Sequence, residues 1–449
     1  MSAAENGEHS LNFKITGRSL LKYAFPTILS NLFMNIYGLV DSLFISNVIG
    51  TDALSALNIV SPLMMVASAL GIMISTGGGA LTAKLMGEGK DREAKEIFSL
   101  LTVFITAVTT GFCILGLLFR RPLLYAMGAD DALYPLCEAY IVPILIGLPF
   151  CTAGMVCSMF FVTAGKPTLG FSIAVAGGVL NMVLDYVLIA VVQMGMLGAA
   201  LATSSGYILQ TIIGVAYFSL KRDGLLYFVR PKWRPRAVLK SCSNGMSEMV
   251  SVMASSVVTI VMNIVLMRLA GSDGVAAMTV VLYLLTILSS VYMGYNSGCA
   301  PIISFHYGDG DTASLRAIFR VMLKTLAVLS VAACLLSLLL ARPVALIYAS
   351  GEDAVIEMAV TGIRFFTPAF LLMGFNMYAS SLFTALNDGR TSALLSFCRL
   401  FVFQLVPLLL LPQLLGLTGV WLSLPLSEVL GFVMTLCFLR CGKSIYHYA

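Results

Sequence analysis

Long apolar stretches separated by short polar segments set the pattern of this chain. An α-helix needs about 20 mostly apolar residues to cross the hydrocarbon core of a bilayer, and twelve stretches are long enough. They contain glycine and do not alternate apolar with polar positions, which favours helices over the strands of a β-barrel. The predicted spans are residues 19–46, 54–82, 97–119, 137–163, 168–192, 196–219, 241–269, 276–304, 319–341, 358–384, 391–412 and 416–439.

The composition supports the same fold class. Of the 449 residues, 59% are hydrophobic and only 11% are charged, whereas a soluble globular domain carries about 25% charged residues. Residues 1–17 are polar and lack the pattern of a signal peptide, so we expect the N-terminus to be retained. We therefore predict an all-α membrane protein that crosses the bilayer many times.

Lysine and arginine are distributed unevenly between the two sets of loops. With the N-terminus placed inside, the inner loops collect most basic residues, including seven between residues 221 and 240. By the positive-inside rule, both termini are predicted to lie in the cytoplasm and the chain in the plasma membrane. The net charge of +5 suits anionic lipid headgroups better than nucleic acid. The outer side keeps Arg120, Arg121, Arg268, Arg342 and the nearby Arg364.

The chain repeats itself at a constant offset of 221 positions. The motif IGTDALSAL at residues 49–57 aligns with AGSDGVAAM at residues 270–278. The motif MGMLGAALA, which starts at residue 194, aligns with LGLTGVWLS, which starts at residue 415. Each half holds six predicted helices, so the second copy enters the membrane with the same orientation as the first. We expect two pseudo-symmetric lobes with a cavity between them, which is a common plan of secondary transporters.

The repeat and the loops predict the domain organisation. The predicted parts are a cytoplasmic N-terminal tail (1–18), an N-lobe (19–219), a basic cytoplasmic linker (220–240), a C-lobe (241–440) and a cytoplasmic C-terminal tail (441–449).

Several classes of function lack the residues they need. The ten cysteines are scattered with no CxxC motif, and the chain has only three histidines, which argues against a transition-metal centre. No P-loop, HExxH or GxSxG motif is present, so we expect neither an enzyme nor a cofactor. No loop is long enough for the extramembrane domain of a sensor.

A few polar residues interrupt the apolar stretches of the first half. Asp41 and Asp185 lie some five to seven residues before the outer ends of their helices, and Asn181 lies one turn before Asp185. Thr203 enters its helix from outside to a similar depth, and Tyr37 precedes Asp41 by one turn. A carboxylate inside the membrane is costly and usually marks an ion or proton path. We therefore predict one shared polar site for cation coupling, with oxygen ligands that would also suit Na⁺.

Two alternative roles stay open for these residues. In the first alternative, Asp41 and Asp185 are helix-end residues whose carboxylates reach the water outside the membrane. In the second, Asn181 only forms a hydrogen bond between helices. The second half bears on the choice, because the repeat places Met262 opposite Asp41 and Leu424 opposite Thr203. Residues that hold the scaffold together should recur in both copies of the repeat, whereas residues for ion coupling are needed in only one copy.

Other polar residues are predicted to line a substrate cavity or to tie helices together. Asn35, Tyr140 and Glu248 are the predicted cavity residues. Arg399 and Glu428 are predicted to form an ion pair between two helices of the second half.

These features resemble a known family. Residues 26–62, the glycine–lysine loop at residues 87–90 and the motif NMVLDYVLI around Asp185 are similar to the multidrug and toxic compound extrusion (MATE) transporters, on the bacterial DinF-like side. The family belongs to the multidrug/oligosaccharidyl-lipid/polysaccharide exporter superfamily. The resemblance covers the whole chain, and it implies a V-shaped fold of twelve helices in two six-helix lobes.

The resemblance also implies roles for single residues. Asp41 would be the coupling carboxylate, with Tyr37, Asn181, Asp185 and Thr203 around it. Pro26 would be the point at which the first helix bends, and Glu248 lies where some members carry a functional acid, although the local motif departs from theirs. The family implies no cofactor, small cationic or amphiphilic drugs as partners, and a monomer that is functional in the bilayer.

The resulting hypothesis is a multidrug efflux antiporter that exchanges organic cations for H⁺ or Na⁺ and contributes to antibiotic resistance. The alternative is a flippase for a lipid-linked sugar or polyisoprenoid phosphate. Such a flippase would need basic cavity residues for phosphate, whereas the ionisable residues of the first half are acidic.

Overall fold

The computed structural model describes residues 11–348 and 353–448, and every regular element among them is helical. Helices and two π-helical segments follow one another with short connections. The α-helices are α1 (Gly17–Val48), α2 (Thr51–Gly87), α3 (Asp91–Leu118), α4 (Arg120–Ala126), α5 (Tyr134–Thr163), α6 (Pro167–Asp185), α7 (Gly195–Leu220), α8 (Pro235–Asp309), α9 (Thr312–Tyr348), α10 (Asp353–Phe366), α11 (Ala369–Ala385), α12 (Gly389–Phe397), α13 (Phe403–Leu415) and α14 (Leu417–Tyr446).

The number of helices agrees with the predicted membrane crossings. Nine helices of the described residues are long and apolar enough to span a bilayer, and the pair α10 and α11, bent by 54°, makes a tenth. The 75-residue α8 contains Gly271 at φ 64° and ψ −152°, a break that divides it into two spans. With the 32-residue α1, these elements account for twelve crossings, so the predicted all-α membrane fold is confirmed.

Two predicted helices differ in detail from the structure. The α-helix predicted over residues 168–192 ends at Asp185 and continues as a π-helical segment, Tyr186–Val191. A second π-helical segment, Cys398–Val402, interrupts the helix predicted over residues 391–412. The hydrophobic pattern does not distinguish the two geometries, because both bury the same apolar stretch. Helix α8 also begins six residues earlier than predicted, at Pro235, because proline is well suited to the first turn of a helix.

The chain packs as two compact units. The first is built mainly of Leu29–Gly245, and the second combines Phe13–Ile28 with Met246–Ala449. Helix α1 therefore contributes its first turns to the second unit and the rest to the first, and the change falls two residues after Pro26. The lobe boundaries read from the sequence remain a prediction.

The first turns of α1 pack closely inside the second unit. A Cβ atom on Gly294 of α8 would lie 2.4 Å from the Cα of Ile28, and one on Gly298 would lie 2.9 Å from the Cα of Ala24. Glycine allows two helix backbones to approach to this distance, which strengthens van der Waals packing where lipid replaces water. The start of α1 is thus fitted to α8.

Helix α5 forms the centre of the first unit and packs most extensively against α2 and α7. The hydroxyl of Ser204 on α7 donates to the carbonyl of Pro143 at 3.0 Å, and Thr211 donates to the carbonyl of Phe150. Hydrogen bonds of this kind hold helices together inside a membrane. They fix the register of α5 against α7 and so position the polar residues that both helices carry.

Candidate ion-binding site

Four helices of the first unit bring the predicted polar residues together. Asp41 lies on α1, Asp185 is the last residue of α6, Thr203 lies on α7 and Tyr140 on α5. The π-helical segment begins directly after Asp185. Such segments are rare and are frequently found at functional sites.

The two carboxyl groups at the centre of the site are neighbours. Asp41 and Asp185 lie within hydrogen-bonding distance of one another. The side chain of Asp185 is buried, and Oδ1 of each carboxyl group is buried without a hydrogen-bond donor among the described residues. Two adjacent carboxylates out of contact with water repel each other and lose their hydration. A shared proton or a bound cation would stabilise such an arrangement.

Asn181 and Thr203 add further oxygens to the site. Nδ2 of Asn181 donates to Oγ1 of Thr203 at 3.3 Å, and both residues are buried. Oδ1 of Asn181 is buried and accepts no hydrogen bond from the described residues. The amide oxygen of Asn181 is therefore available as a ligand. Carboxylate, amide and hydroxyl oxygens are the donors that hard cations prefer.

Tyrosines surround the carboxyl groups. The hydroxyl of Tyr140 is within hydrogen-bonding distance of Thr203, and its ring is fully buried. Tyr37 interacts electrostatically with both Asp41 and Asp185. A phenol can donate to a carboxylate or accept from a protonated carboxyl group, so these residues suit a site that changes its charge.

Tyr207 belongs to this group, and the sequence analysis missed it. Its hydroxyl is within hydrogen-bonding distance of Cys151, and Asp41 and Tyr37 act on it electrostatically. Tyr207 follows Thr203 by four residues, so both lie on one face of α7. That spacing was the available signal.

The other predicted residues lie elsewhere or make other contacts. Asn35 donates through Nδ2 to the carbonyl of Asn31 at 3.0 Å, within α1. Glu248 lies on α8 in the second unit and is partly exposed. Pro26 lies inside α1 at the point where the helix passes from one unit to the other.

The second unit contains the predicted ion pair. Nε and Nη2 of Arg399 each lie 3.1 Å from Oε1 of Glu428. Nδ2 of Asn376 donates to Oε2 of the same carboxylate at 2.7 Å. Both oxygens of Glu428 are therefore engaged, in contrast to the carboxyl groups of the first unit.

The donor set of the first unit limits which cations it could hold. Among the residues that the structure describes, no group of three or more His, Cys, Asp or Glu side chains could hold a metal ion. Carboxylate, amide and hydroxyl oxygens are nevertheless ligand types that hard cations accept.

Twelve membrane crossings among the described residues and a buried acidic pair are typical of a multi-pass membrane transporter. A sequence model of the family described as MatE matches residues 26–187 and again residues 249–410. The two matches are equal in length, in agreement with the repeat. The chain belongs to this family, whose members are transporters and not enzymes.

Known relatives match nearly the whole chain. The chain is 23% identical over 434 residues to the multidrug export protein MepA of Staphylococcus saprophyticus, covering 96% of this chain and 93% of the relative. It is 24% identical over 441 residues to the FAD transporter of Shewanella oneidensis, covering 94% of each. A crystal structure of a MATE protein in complex with MaL6 matches with a TM-score of 0.92 and 20% identity over 99% of both chains. That likeness concerns the fold.

Proposed function

We propose that the protein is a secondary multidrug antiporter that exports organic cations and amphiphilic drugs in exchange for H⁺ or Na⁺. One observation carries the proposal. Three buried oxygens, on Asp41, Asp185 and Asn181, have no hydrogen-bond donor among the described residues and belong to one polar site. The similar relative named as a multidrug export protein supports the substrate class.

The site supports exchange because ion and substrate would compete for the same charge. Without a cation, the pair Asp41 and Asp185 carries excess negative charge in a desolvated site, which favours a cationic substrate nearby. Binding of one H⁺ or Na⁺ lowers that negative charge by one unit and weakens the attraction for the substrate. A ligand shifts a conformational equilibrium only through such a difference in affinity between the states.

The two coupling ions would use the site differently. A proton would be shared between the carboxyl groups of Asp41 and Asp185, which lie within hydrogen-bonding distance. Sodium would add Oδ1 of Asn181 and Oγ1 of Thr203 as ligands, and Thr203 would rotate to offer its oxygen. The same residues could therefore bind either ion, and a transport measurement is needed to distinguish H⁺ from Na⁺.

Ethidium efflux from energised cells tests the proposal. We expect wild-type cells to export ethidium and Asp41→Asn cells to fall to the level of the empty vector at matched expression. Asp273→Asn is the matched control, because Asp273 is exposed outside the proposed site. We expect efflux to stop when only one of the two gradients is removed, either the proton gradient, with a protonophore, or the Na⁺ gradient. The gradient whose loss stops efflux identifies the coupling ion.

The result that would contradict the proposed site is full efflux by Asp41→Asn. Efflux by wild-type cells that survives collapse of both gradients would contradict antiport itself. Wild-type efflux equal to the empty vector would contradict the export of cationic dyes and favour a narrower substrate.

A flavin nucleotide is the second candidate substrate, because a relative of 24% identity is named as an FAD transporter. Its diphosphate would need a basic partner. Arg399, a basic residue inside a predicted span of the second unit, is already bound to Glu428. Export of FAD by the wild type, with no ethidium export, would favour this candidate.

A further inference from the structure

The basic linker that follows α7 is fixed against the first unit. The backbone N–H of Phe228 donates to the carbonyl of Phe218 in the last turn of α7 at 2.9 Å. The N–H of Val229 donates to Oγ of Ser99 on α3 at 2.9 Å. The ring of Phe228 also stacks on that of Phe98, with 4.7 Å between the ring centroids. The start of the linker therefore folds back along α3.

The same fold-back occurs in the second unit. The hydroxyl of Tyr448 donates to the carbonyl of Leu439 at 2.8 Å, and its ring centroid lies 5.0 Å from that of Phe319. Leu439 stands 221 positions after Phe218, and Phe319 stands at the same offset after Phe98. The fold-back is therefore part of the repeated scaffold. Its contacts precede residue 230, so the exposed residues after that point are available for another purpose.

Two acids of α3 lock the linker in place. Oε1 of Glu96 lies 2.8 Å from Nζ of Lys232, and Oε2 of Glu96 lies 2.9 Å from Nη2 of Arg234. Glu93 also forms an ion pair with Arg234. The carboxylate of Glu96 is buried, so these contacts hold the linker firmly. The charges of Lys232 and Arg234 are thus used inside the protein.

Two other arginines beside this lock are exposed and unpaired. Arg230 lies before the locked residues, and Arg236 lies after them, in the first turn of α8. Neither forms an ion pair with the described residues. Residues 221–240 contain seven basic side chains and one acid, Asp223. The surface therefore carries an excess of positive charge that the described residues do not compensate.

Trp233 lies between these arginines, three residues from each. It is 66% exposed, and its ring centroid lies 6.3 Å from that of Phe104 on α3. Phe104 is seven residues inside the predicted span 97–119, a depth of about 10 Å. Tryptophan is enriched where a membrane meets its headgroups, because the ring is apolar and its N–H is polar. Three residues of extended chain span at most about 11 Å, so both guanidinium groups can reach the headgroups beside it.

We propose that Arg230, Trp233 and Arg236 form an interaction surface for anionic phospholipids. The two guanidinium groups bind the headgroup phosphate and balance its charge, and the indole ring lies against the upper part of the acyl chains. A soluble polyanion would meet the arginines, but it would not account for an exposed indole at the depth of a membrane span. The rigid linker thereby attaches the first unit to the headgroup layer.

Tryptophan fluorescence of the purified full-length protein in vesicles tests this surface. The chain has two tryptophans, and Trp421 is only 1% exposed, so contact quenching by brominated acyl chains reports on Trp233. Two vesicle preparations contain phosphatidylglycerol and phosphatidylcholine in equal amounts, with bromine on the chains of one lipid or of the other. We expect Trp233 to favour phosphatidylglycerol about tenfold, or about 1.4 kcal/mol, within the range of two arginines at about 1 kcal/mol each.

Charge variants assign the preference to the two arginines. We expect Arg230→Gln/Arg236→Gln to lower it below about twofold, and Arg230→Lys/Arg236→Lys to keep most of it, because lysine retains the charge. Arg342→Gln/Arg364→Gln removes the same charge from exposed residues of α9 and α10 and is the matched control. Trp233→Phe should abolish most of the quenching by either lipid.

Several results would overturn the proposal. Equal quenching by the two brominated lipids would mean that the basic residues only set the orientation of the chain. A preference that survives in Arg230→Gln/Arg236→Gln would remove the arginines from the surface. Equal quenching of the wild type and Trp233→Phe would show that this tryptophan does not face lipid. None of these results depends on the transported substrate or the coupling ion, so each would leave the proposed antiporter intact.

Discussion

The two units of the protein treat buried acids in opposite ways. In the first unit, Asp41 and Asp185 lie side by side, and Oδ1 of each has no donor among the described residues. In the second unit, Glu428 is bound by Arg399 and Asn376. A carboxylate paired with an arginine needs no further cation, whereas a cation from solution would stabilise an uncompensated pair. The difference identifies the unit in which an exchangeable ion is expected.

The repeat sharpens this comparison, because both units derive from one helical plan. Met262 and Leu424 correspond to Asp41 and Thr203 at the repeat offset, and both are buried apolar residues. The helical plan of the repeat therefore accepts an apolar side chain at these two positions. Asp41 and Thr203 are therefore not required for packing, which favours a functional reason for their polarity.

The largest effect should come from replacing Asp41 by methionine, the residue at the corresponding position of the second unit. In Asp41→Met, the acidic pair is reduced to one carboxyl group and the first unit loses its exchangeable charge. We expect efflux of ethidium to fall to the empty-vector level while the thermal midpoint of the purified protein stays equal or rises, because an uncompensated buried charge is removed. Retained efflux, or a large loss of stability, would break the comparison. Met262→Leu is a control of similar volume.

A smaller effect should follow from creating an uncompensated buried carboxylate in the second unit. Arg399→Gln leaves Glu428 buried without its cation, and removal of one partner of a buried pair costs about 3 kcal/mol or more. We expect a lower thermal midpoint in detergent, and recovery of most of the loss in Arg399→Gln/Glu428→Gln. Arg364→Gln, at an exposed arginine of α10, should change nothing. A single variant as stable as the wild type would show that the pair carries no energetic weight.

The smallest effect should come from Tyr207. Tyr207→Phe keeps the ring and removes only the hydroxyl near Cys151, so the packing of α7 is preserved. We expect a reduction of efflux of about two- to fivefold, which corresponds to a net loss of about 0.5–1 kcal/mol for one hydrogen-bonding group. Tyr217→Phe on the same helix is the control, because the Tyr217 hydroxyl makes no hydrogen bond with the described residues. Equal rates for Tyr207→Phe and the wild type would remove Tyr207 from the site.

The coarse fold and the depth of the polar residues were accessible from the sequence. Each helix rises 1.5 Å per residue, so counting from its ends placed Asp41, Asp185 and Thr203 at similar levels. Level alone does not say which faces meet. The structure brings these residues together on α1, α6 and α7, and it adds Tyr140 from α5.

Other features depended on interactions between helices. The π-helical segment after Asp185 and the one around Arg399 leave no mark in the hydrophobic pattern. The hydrogen bond from the hydroxyl of Ser427 to the carbonyl of Arg399 depends on the register of α14 against that segment. The sequence placed Tyr207 only on the same face of α7 as Thr203, and its neighbours Cys151 and Tyr37 come from other helices.

The division of α1 between the units has a consequence for biosynthesis. The face that receives its first turns, with Gly294 and Gly298, is synthesised about 270 residues later than those turns. Until then, Ala24 and Ile28 must face lipid or a chaperone of the membrane. Insertion of this protein therefore includes a step that joins the start of α1 to a part of α8 synthesised much later, and a chain cut at the linker would have to complete that step between two separate polypeptides.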